Sequence, residues 1–540
     1  MTLATTRFQR FANLYKDSVA LMQLGAMLRE RAGIEQASCL MATPTNLAQL
    51  ADAELTVDAN AAPSDLLVVV RGESAACDAA LLAAGSILLA APGSDSREHT
   101  AFKLPLSSLA LGVAEGRAQG IGADLALISV PGDYAAAEAF KALALGLHVM
   151  LFSDNVSVAH ERAIKTLARE RGLLVMGPDC GTAIVNGVPL GFANVVRRGS
   201  IGLVAASGTG LQEVTCRIHH LGGGVSQALG TGGRDLKEQV GGITMRQGLA
   251  ALAADAATRV IVLISKPPSP AIALEIERAA SEACAQGKLV VVHFLGAKPG
   301  ALPAGVIAAT SLRHAADVAV ALARGDTPPA PEVAPTAALT AEVERQAAAM
   351  APSQCAVRGL FTGGTFCYEA QLAFIAHGLA CSSNAPAHGA ATFNPRDGTG
   401  QSGGHVFLDL GDDDYTRGRP HPMIDPQPRD SLVRSQGADP AVAALLFDVV
   451  LGYGSHPDPA AGLAEALADA QREARAQGRM LALIGHVCGT DADPQDRAAQ
   501  LRQLKAAGAL IAGSNVEASL LAAGLAQRLA RRPAARRDRE

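Results

Sequence analysis

The sequence contains no tryptophan, and aromatic residues make up only 3% of its 540 residues. Stacking platforms for nucleobases and aromatic belts at a membrane interface are therefore not expected. Basic residues are not in excess either: 46 Lys plus Arg stand against 51 Asp plus Glu, for a net charge of −5. A nucleic-acid-binding surface is usually strongly positive. The composition thus predicts neither nucleic acid nor membrane as a partner.

Long apolar runs and closely spaced cysteines are also missing. No stretch approaches the roughly 20 apolar residues of a membrane helix, and the first 16 residues lack the apolar segment of a secretory signal. The nine cysteines are scattered, and no two form a Cys-x-x-Cys pair. We therefore predict a protein of the reducing cytoplasm without disulfides and without a bound metal.

What the sequence does contain is a regular alternation of apolar strands and amphipathic helices, with 49% hydrophobic and 18% charged residues. Such an alternation is typical of parallel sheets covered by helices on both faces. We predict an α/β protein with multiple doubly wound parallel-sheet domains of the Rossmann and flavodoxin-like type. The expected segments are a small α/β module (1–98), a Rossmann-like domain (99–196), a flavodoxin-like domain (197–326), a linker (327–345), a second flavodoxin-like domain (346–530) and a disordered tail (531–540).

Three glycine-containing turns each follow a predicted strand and precede a predicted helix. They are Ser207-Gly208-Thr209, Gly363-Gly364-Thr365 and Gly452-Tyr453-Gly454-Ser455. Backbone amides at a helix N-terminus favour an anion such as phosphate or carboxylate. The alternative is that these residues only cap their helices and allow close packing. If two of the turns face each other, they would hold one anion between them.

Two of these turns share a further feature. Thr209 is followed four residues later by Glu213, and Thr365 is followed four residues later by Glu369. This weak internal repeat suggests two related α/β units. Convergence on a good helix start explains it equally well.

Other polar residues are placed where ligands of parallel sheets bind, beyond the ends of strands. The candidates for substrate contacts are Asp179, Arg234, Lys266 and, in a proline-rich connector, His421, Asp425 and Arg429. An exposed ion pair with Asp235 is the alternative for Arg234. The connector, residues 411–434, is too polar for burial, and its alternative is a stiff surface loop. Cys180 is expected to be a turn residue rather than a nucleophile.

At these motifs the sequence resembles the succinyl-CoA synthetases. Residues 176–181 and 202–209 are similar to its α subunit, where a Ser-Gly-Thr helix start faces a phosphohistidine. Residues 407–411, 443–454 and 509–516 are similar to the carboxy-terminal domain of its β subunit. An α-like half joined to a β-like half, with the runs 363–369 and 421–426, resembles the FdrA family. The resemblance implies a CoA-binding-type fold for 99–196 and α-type and β-type domains for the two flavodoxin-like segments.

The sequence departs from the synthetases in three places. Residues 1–130 lack the glycine-rich CoA loop, the phosphohistidine motif is replaced by a run with only His314, and no ATP-grasp module separates the two halves. The FdrA resemblance instead implies a subunit of a multi-protein carbamoyltransferase of the oxamate type, in purine-nitrogen (allantoin) catabolism. Carbamoyl phosphate or phosphate would bind at the glycine turns, and partner subunits would complete a hetero-oligomer.

Two alternatives remain open from the sequence. One is a protein similar to the ADP-forming acyl-CoA synthetases, for which CoA is the cofactor that the resemblance suggests. The other is a non-catalytic assembly scaffold whose helix starts only cap. No catalytic residue follows from the sequence, and no cofactor is certain.

Overall fold

A computed structural model describes residues 4–16, 18–55, 60–89, 106, 108–297, 302–331, 334–394, 404–416 and 420–532. The chain divides into two compact units. The first contains residues 1–179 and 416–420, and the second contains residues 180–415 and 421–540. The expected tail, 531–540, lies outside the described residues from position 533 onward.

The first unit begins with a three-stranded antiparallel sheet in the order β1-β3-β2. The central strand is an uninterrupted apolar run whose side chains are nearly all buried, so it needs cover on both faces. Thr43 caps the second helix by accepting a hydrogen bond from the Asn46 amide at 3.2 Å. The elements are β1 (Thr5–Phe11), α1 (Ser18–Arg29), β2 (Ile34–Met41), α2 (Pro44–Asp52), β3 (Leu66–Gly72) and α3 (Ser74–Leu89).

The rest of the first unit is a small Rossmann-like layer, a parallel sheet in the order β4-β5-β6. Alanines and leucines of its helices pack on the buried strands in one core. The elements are α4 (Leu109–Ala118), β4 (Leu125–Ile128), α5 (Gly132–Ala144), β5 (His148–Leu151), α6 (Val158–Glu170) and β6 (Val175–Met176).

The second unit contains two seven-stranded sheets. The first has the order β13-β12-β11-β9-β10-β7-β8, with five parallel strands and an antiparallel hairpin, β7–β8, on one side. Its elements are β7 (Thr182–Val185), β8 (Val188–Gly191), β9 (Arg198–Ala205), α7 (Gly208–His220), β10 (Val225–Gly230), α8 (Ile243–Ala254), β11 (Val260–Ser265), α9 (Pro270–Ala285), β12 (Leu289–Phe294), β13 (Val306–Ala308) and α10 (Leu312–Arg324).

The second of these sheets is parallel throughout, in the order β16-β15-β17-β14-β18-β19-β20. All nine residues of its strand β18 are buried. Its elements are α11 (Ala337–Ala348), β14 (Ala356–Phe361), α12 (Gly364–Ala376), β15 (Cys381–Ser383), β16 (Ala391–Thr392), β17 (His405–Asp409), α13 (Asp413–Thr416), α14 (Gln427–Ala438), β18 (Val442–Val450), α15 (Ala461–Ala476), β19 (Ala482–Cys488), α16 (Arg497–Ala506), β20 (Leu510–Ala512) and α17 (Asn515–Ala530).

The predicted class, α/β with doubly wound parallel sheets, is confirmed, and three details differ from it. The first sheet is antiparallel. The β7–β8 hairpin pairs through Ile184 with Ala228 of β10, so it extends the sheet that follows the expected boundary at residue 196. Residues 337–345 of the expected linker are helical, because α11 begins at Ala337 and buries Val343.

No helix in the described part of the chain is long and apolar enough to cross a membrane.

Candidate functional site

The first glycine turn forms a regular helix start. Strand β9 ends at Ala205, and Ser207 has extended backbone angles at the N-cap of α7. Its hydroxyl accepts a hydrogen bond from the Gly210 amide at 3.0 Å. Capping by a serine side chain satisfies one of the amides that lack a partner within the helix. The sequence prediction of a helix start at this position is confirmed.

The second glycine turn starts α12 in a different way. Gly363 is the N-cap and offers no side chain. The amides of Thr362 and Gly363 instead donate to the two carboxylate oxygens of Asp448, each at 2.8 Å. Asp448 lies on the neighbouring strand β18 and is fully buried. A carboxylate from another strand thus holds the turn in place.

The structure brings these two helix starts together. The Ser207 Oγ lies 2.5 Å from the Thr365 Oγ1, so the two hydroxyls share a hydrogen bond. A Cβ on Gly363 would lie 2.8 Å from the Thr209 Cγ2, so only glycine allows this approach. Both helices therefore present their positive N-terminal ends at one place, which favours a bound anion.

The third glycine turn is not a helix start, and that prediction is wrong. After β18 ends at Val450, the next helix, α15, begins only at Ala461. The Gly452 amide donates to the Gln495 side chain at 3.0 Å, and the Tyr453 amide donates to the Ala193 carbonyl at 3.0 Å. Both amides therefore donate to groups of the protein itself, and these hydrogen bonds stabilise the turn. Anion binding by Gly452, Tyr453, Gly454 and Ser455 stays a prediction that this geometry does not support.

A carboxylate that sequence analysis did not propose lies at the start of α12. Asp409 ends strand β17, is buried, and accepts a hydrogen bond from the Gly411 amide at 3.0 Å through its Oδ1. Its Oδ2 lies so close to Gly364 that a Cβ there would collide with it. Burial raises the pKa of Asp409 to about 6, although the nearby Lys266 ammonium lowers it. The signal in the sequence was the position of Asp409, at the carboxyl end of a parallel strand.

Two of the candidate substrate contacts lie beside Asp409. Lys266 follows β11, is exposed, and places its ammonium 5.1 Å from the centroid of the Tyr368 ring. His421 is half-buried, and its Nδ1 accepts a hydrogen bond from the Met423 amide at 3.2 Å. A Cβ on Gly411 would lie 2.7 Å from the His421 Nε2. Burial lowers the pKa of His421 to about 4, so the ring is neutral near pH 7 and its Nε2 carries the hydrogen.

The connector between β17 and β18 is not a surface loop, which corrects the prediction for residues 411–434. Helix α14 begins at Gln427, and Asp425 and Arg429 are each only 2% exposed. The Arg429 Nη1 donates to the Asp448 carbonyl at 2.9 Å, and the guanidinium lies 3.8 Å from the Asp448 carboxylate. Arg429 therefore balances the buried charge of Asp448. The Asp425 Oδ1 accepts a hydrogen bond from the Gln427 amide at 3.2 Å and thereby shapes the start of α14.

The remaining candidates lie elsewhere. Asp235 is fully buried and accepts hydrogen bonds from the Thr244 and Met245 amides at 3.2 and 2.9 Å, so it is not exposed as the alternative of an ion pair with Arg234 assumed. Arg234 itself is half-buried in the turn after β10, and its role stays a prediction. Asp179 is exposed and belongs to the first unit, where its amide donates to the Ser153 carbonyl at 3.0 Å.

The two repeated glutamates meet behind the joined helix starts. The Glu213 Oε2 lies 2.7 Å from the His486 Nε2, and the Asn515 amide donates to the Glu213 Oε1 at 3.4 Å. The Asn515 side chain donates to the Glu369 Oε2 at 2.8 Å. All four residues are buried. We call this group, Glu213, Glu369, His486 and Asn515, the buried network.

The two glutamates have opposite pKa shifts. Burial opposes ionisation of Glu213, but the charge and hydrogen bond of His486 lower its pKa below the ordinary value. The His486 pKa is raised by Glu213 in spite of burial, and both ring nitrogens face acceptors, since Nδ1 lies 3.2 Å from the Ala512 carbonyl. Burial raises the pKa of Glu369 to about 7. The network therefore contains one ion pair and one carboxyl group that is half-protonated near pH 7.

Comparison with known proteins identifies related domains in two parts of the chain. The family model described as CoA-ligase matches residues 360–525, and the model described as AllF, heavy metal-associated domain, matches residues 4–103. The fold is thus that of an α/β, CoA-ligase-like protein with a succinyl-CoA synthetase-like fold. The uncharacterized protein YahF of Escherichia coli strain K12 is 43% identical over 517 residues, which is 94% of this chain and 96% of YahF. The chain belongs to the family of YahF.

More distant relatives match part of the chain. The succinate–CoA ligase (ADP-forming) subunit alpha of Aquifex aeolicus is 30% identical over 151 residues, covering 27% of this chain and 48% of that subunit. Among solved structures, the apo form of the dinucleotide-forming acetyl-coenzyme A synthetase 1 of Candidatus Korarchaeum cryptofilum has a TM-score of 0.31 and 16% identity. That match covers 75% of this chain and 83% of the synthetase.

The heavy metal that one family description implies does not fit the described residues. No group of three or more His, Cys, Asp or Glu residues in the described ranges could hold a metal ion. Cys39 and Cys77 are buried in the apolar core of the first module, and burial raises the pKa of Cys39 to about 12, whereas metal ligation needs a thiolate. For CoA, the CoA-ligase family suggests binding, although residues 1–130 lack the glycine-rich CoA loop of the synthetases.

Proposed function

We propose that this protein is a CoA-ligase-like subunit that binds the phosphate end of an acyl phosphate at the joined starts of α7 and α12. The observation that carries the proposal is the 2.5 Å contact between the Ser207 and Thr365 hydroxyls. It places two positive helix ends and two hydroxyl groups at one point. A transferring phosphoryl or acyl group carries negative charge at such a point, and fixed dipoles stabilise that charge without reorganising.

Lys266 supplies the mobile positive charge of the proposed site. Its ammonium lies over the Tyr368 ring, and the two form a cation–π contact that holds the side chain near the start of α12. A lysine on a flexible stem can follow a phosphate as it is released, whereas the helix amides are fixed. Lys266 is therefore the charged partner that we assign to the anion.

A second, more specific function is a carbamoyltransferase subunit of the oxamate type, as in the FdrA family. The match of residues 4–103 to the AllF domain favours it. Carbamoyl phosphate is itself an acyl phosphate, so both functions need the same anion site. They differ in the acceptor, which is the CoA thiol in one case and an amide in the other. The missing CoA loop favours the amide, and partner subunits in a hetero-oligomer would supply the remaining machinery.

The test is thermal stabilisation of the full chain by phosphate, acetyl phosphate, carbamoyl phosphate and CoA. We expect the phosphate-containing small anions to raise the midpoint of unfolding, and CoA alone to leave it unchanged. The variant Ser207→Asp keeps an N-cap residue but puts a negative charge between the helix starts, so it should abolish stabilisation by the anions.

The matched control is Ser157→Asp. Ser157 caps α6 in the first unit by accepting a hydrogen bond from the His160 amide at 3.2 Å, so the same change leaves the proposed site untouched. This variant should respond to anions as the unmodified protein does. Stabilisation that persists in Ser207→Asp would refute the site, and no response of the unmodified protein to any compound would favour the scaffold. Stabilisation by CoA would favour the acyl-CoA synthetase function.

A further inference from the structure

The position of Asp409 is fixed by its surroundings. The Asn384 side chain donates to the Asp409 carbonyl at 2.9 Å and accepts from the Asp409 amide at 2.9 Å. The Oδ1 accepts the hydrogen bond from Gly411, and the side chain is 93% buried, since only 7% of the residue is exposed. The carboxyl group therefore cannot turn away from the start of α12.

The second oxygen of this carboxyl group, Oδ2, makes no hydrogen bond within the described chain. Oδ2 lies against Gly364, the first residue of α12, and accepts no hydrogen bond from any residue that the structure describes. This oxygen is not sealed from solvent, so a water molecule or a ligand can reach it and donate a hydrogen bond to it. The oxygen lies at the start of α12, which the proposed function makes part of the anion site.

An acceptor at an anion site discriminates between anions. A ligand that carries its own hydrogen can donate it to the carboxylate, whereas a fully deprotonated ligand meets only repulsion. We propose that Asp409 makes this site prefer oxyanions that bear a hydrogen-bond donor over sulfate, which has none. Examples of the preferred ligands are hydrogen phosphate and an acyl phosphate that carries an amide N–H. This inference rests on the proposed anion site at the joined helix starts, and it adds the class of anion that the site accepts.

The charged groups around Asp409 set its protonation state. Lys266 attracts its negative charge, Asp412 and Asp448 repel it, and the neutral His421 ring adds no charge. Burial raises the pKa of Asp409 to about 6; the two neighbouring carboxylates add to this increase, and Lys266 and the Gly411 amide oppose it. Below that pH the carboxyl group is protonated and can itself donate to sulfate. Above it, the carboxylate accepts only from ligands with a hydrogen.

The experiment compares inorganic phosphate with sulfate by isothermal titration of the full chain at about pH 8, where both anions are mainly divalent and only phosphate keeps an O–H. We expect phosphate to bind at least about tenfold more tightly than sulfate, because a charge-assisted hydrogen bond is exchanged for a repulsion. In Asp409→Asn the difference should shrink to less than about threefold, through a gain in sulfate affinity. Asp412→Asn removes the same charge without the contact to Gly364, and it should keep the selectivity.

A second measurement needs no variant. In the unmodified protein, sulfate affinity should fall as the pH rises through about 6, while phosphate affinity persists. Equal binding of the two anions at both pH values would overturn the selectivity and leave the anion site intact. Asp409→Asn that folds but gains no sulfate affinity would also overturn it. Failure of the unmodified protein to bind either anion would remove the proposed site, and this inference with it.

Discussion

Glu213 and Glu369 occupy the same position in the same motif, yet their environments are opposite. Each lies four residues after the threonine of a Gly-Thr helix start, and each is a member of the buried network. Glu213 faces the imidazole of His486, whereas Glu369 faces the Asn515 side chain and the Leu312 amide, at 2.8 and 3.2 Å. The repeat therefore places a carboxyl group at the same position in both motifs. The residue that each carboxyl group contacts, His486 or Asn515, determines whether it is charged.

This difference indicates different tasks for the two glutamates. The ion pair between α7 and β19 joins the two flavodoxin-like domains with a charge on each side. Glu369 in α12 accepts hydrogen bonds from α17 of its own domain and from the Leu312 amide of the other domain, and neither of these partners carries a charge. Because Asn515 contacts both glutamates, it holds the two helices at the spacing that the Ser207–Thr365 contact requires.

The largest expected effect breaks the ion pair. Glu213→Gln leaves the His486 charge buried without its partner, so it should lower the free energy of unfolding by about 3–5 kcal/mol. Glu369→Gln changes the equivalent residue but removes no ion pair, so near pH 7 it should not lower the free energy of unfolding. Thermal and urea unfolding of the two variants measure the difference. Equal losses of stability would show that the two environments are not distinct.

The next prediction uses pH to separate the same two residues. The folded-state pKa of Glu369 is raised to about 7 from the ordinary value of 4.5, so the stability it contributes is fully present below about pH 4.5 and is lost as the pH rises through about 7. The shift corresponds to about 3 kcal/mol. Glu213 has a lowered pKa, so its contribution is present above the ordinary value and is lost as the pH falls.

We therefore expect Glu369→Gln to gain stability relative to the unmodified protein between about pH 5 and pH 8, by up to about 3 kcal/mol. Midpoints of thermal unfolding across this range measure it. Glu213→Gln serves as the comparison, because the pair combines a lowered Glu213 pKa with a raised His486 pKa, so its deficit should be largest between about pH 4.5 and 6.5 and shrink above that range. A constant difference between Glu369→Gln and the unmodified protein at all pH values would contradict the assigned pKa.

Much of this architecture could be predicted from the sequence. The features that could not be predicted depend on contacts between residues that are distant in the sequence. Apolar periodicity predicts strands and helices because it depends on near neighbours, and the starts of α7 and α12 were found in this way. The turn at Gly452 has the same local pattern, but its amides bond to Ala193 and Gln495, which are distant in sequence. The connector looked exposed because Arg429 and Asp425 are charged. Arg429 can be buried only because Asp448, on another strand, neutralises it.

The candidate site could also be predicted only where local position in the sequence marks a residue. Lys266 and His421 were proposed from their positions after strands, and both lie near Asp409. Asp409 was not proposed although it ends a parallel strand, and the partners of the buried network were not proposed because a single histidine or asparagine in a core has no local signature. The one available signal was the repeated glutamate, which marked Glu213 and Glu369 without showing that they meet. Contacts between residues about 150 to 300 positions apart create this network.

The smallest expected effect concerns the close approach of the two helix starts. A Cβ on Gly363 would lie 2.8 Å from the Thr209 Cγ2 and 2.9 Å from the Phe366 Cδ2, so Gly363→Ala must push α7 and α12 apart. We expect a loss of about 1–3 kcal/mol in the free energy of unfolding, as is usual for overpacking.

The control is Gly524→Ala in α17, where a Cβ would meet nothing within 4 Å. Alanine is the better helix former there, so that variant should be more stable by about 0.5–1 kcal/mol. The two glycine variants should also differ in function, because only Gly363→Ala separates the Ser207 and Thr365 hydroxyls and weakens stabilisation by phosphate. If Gly363→Ala keeps both its stability and its response to phosphate, the close contact of the two helix starts is not what forms the site.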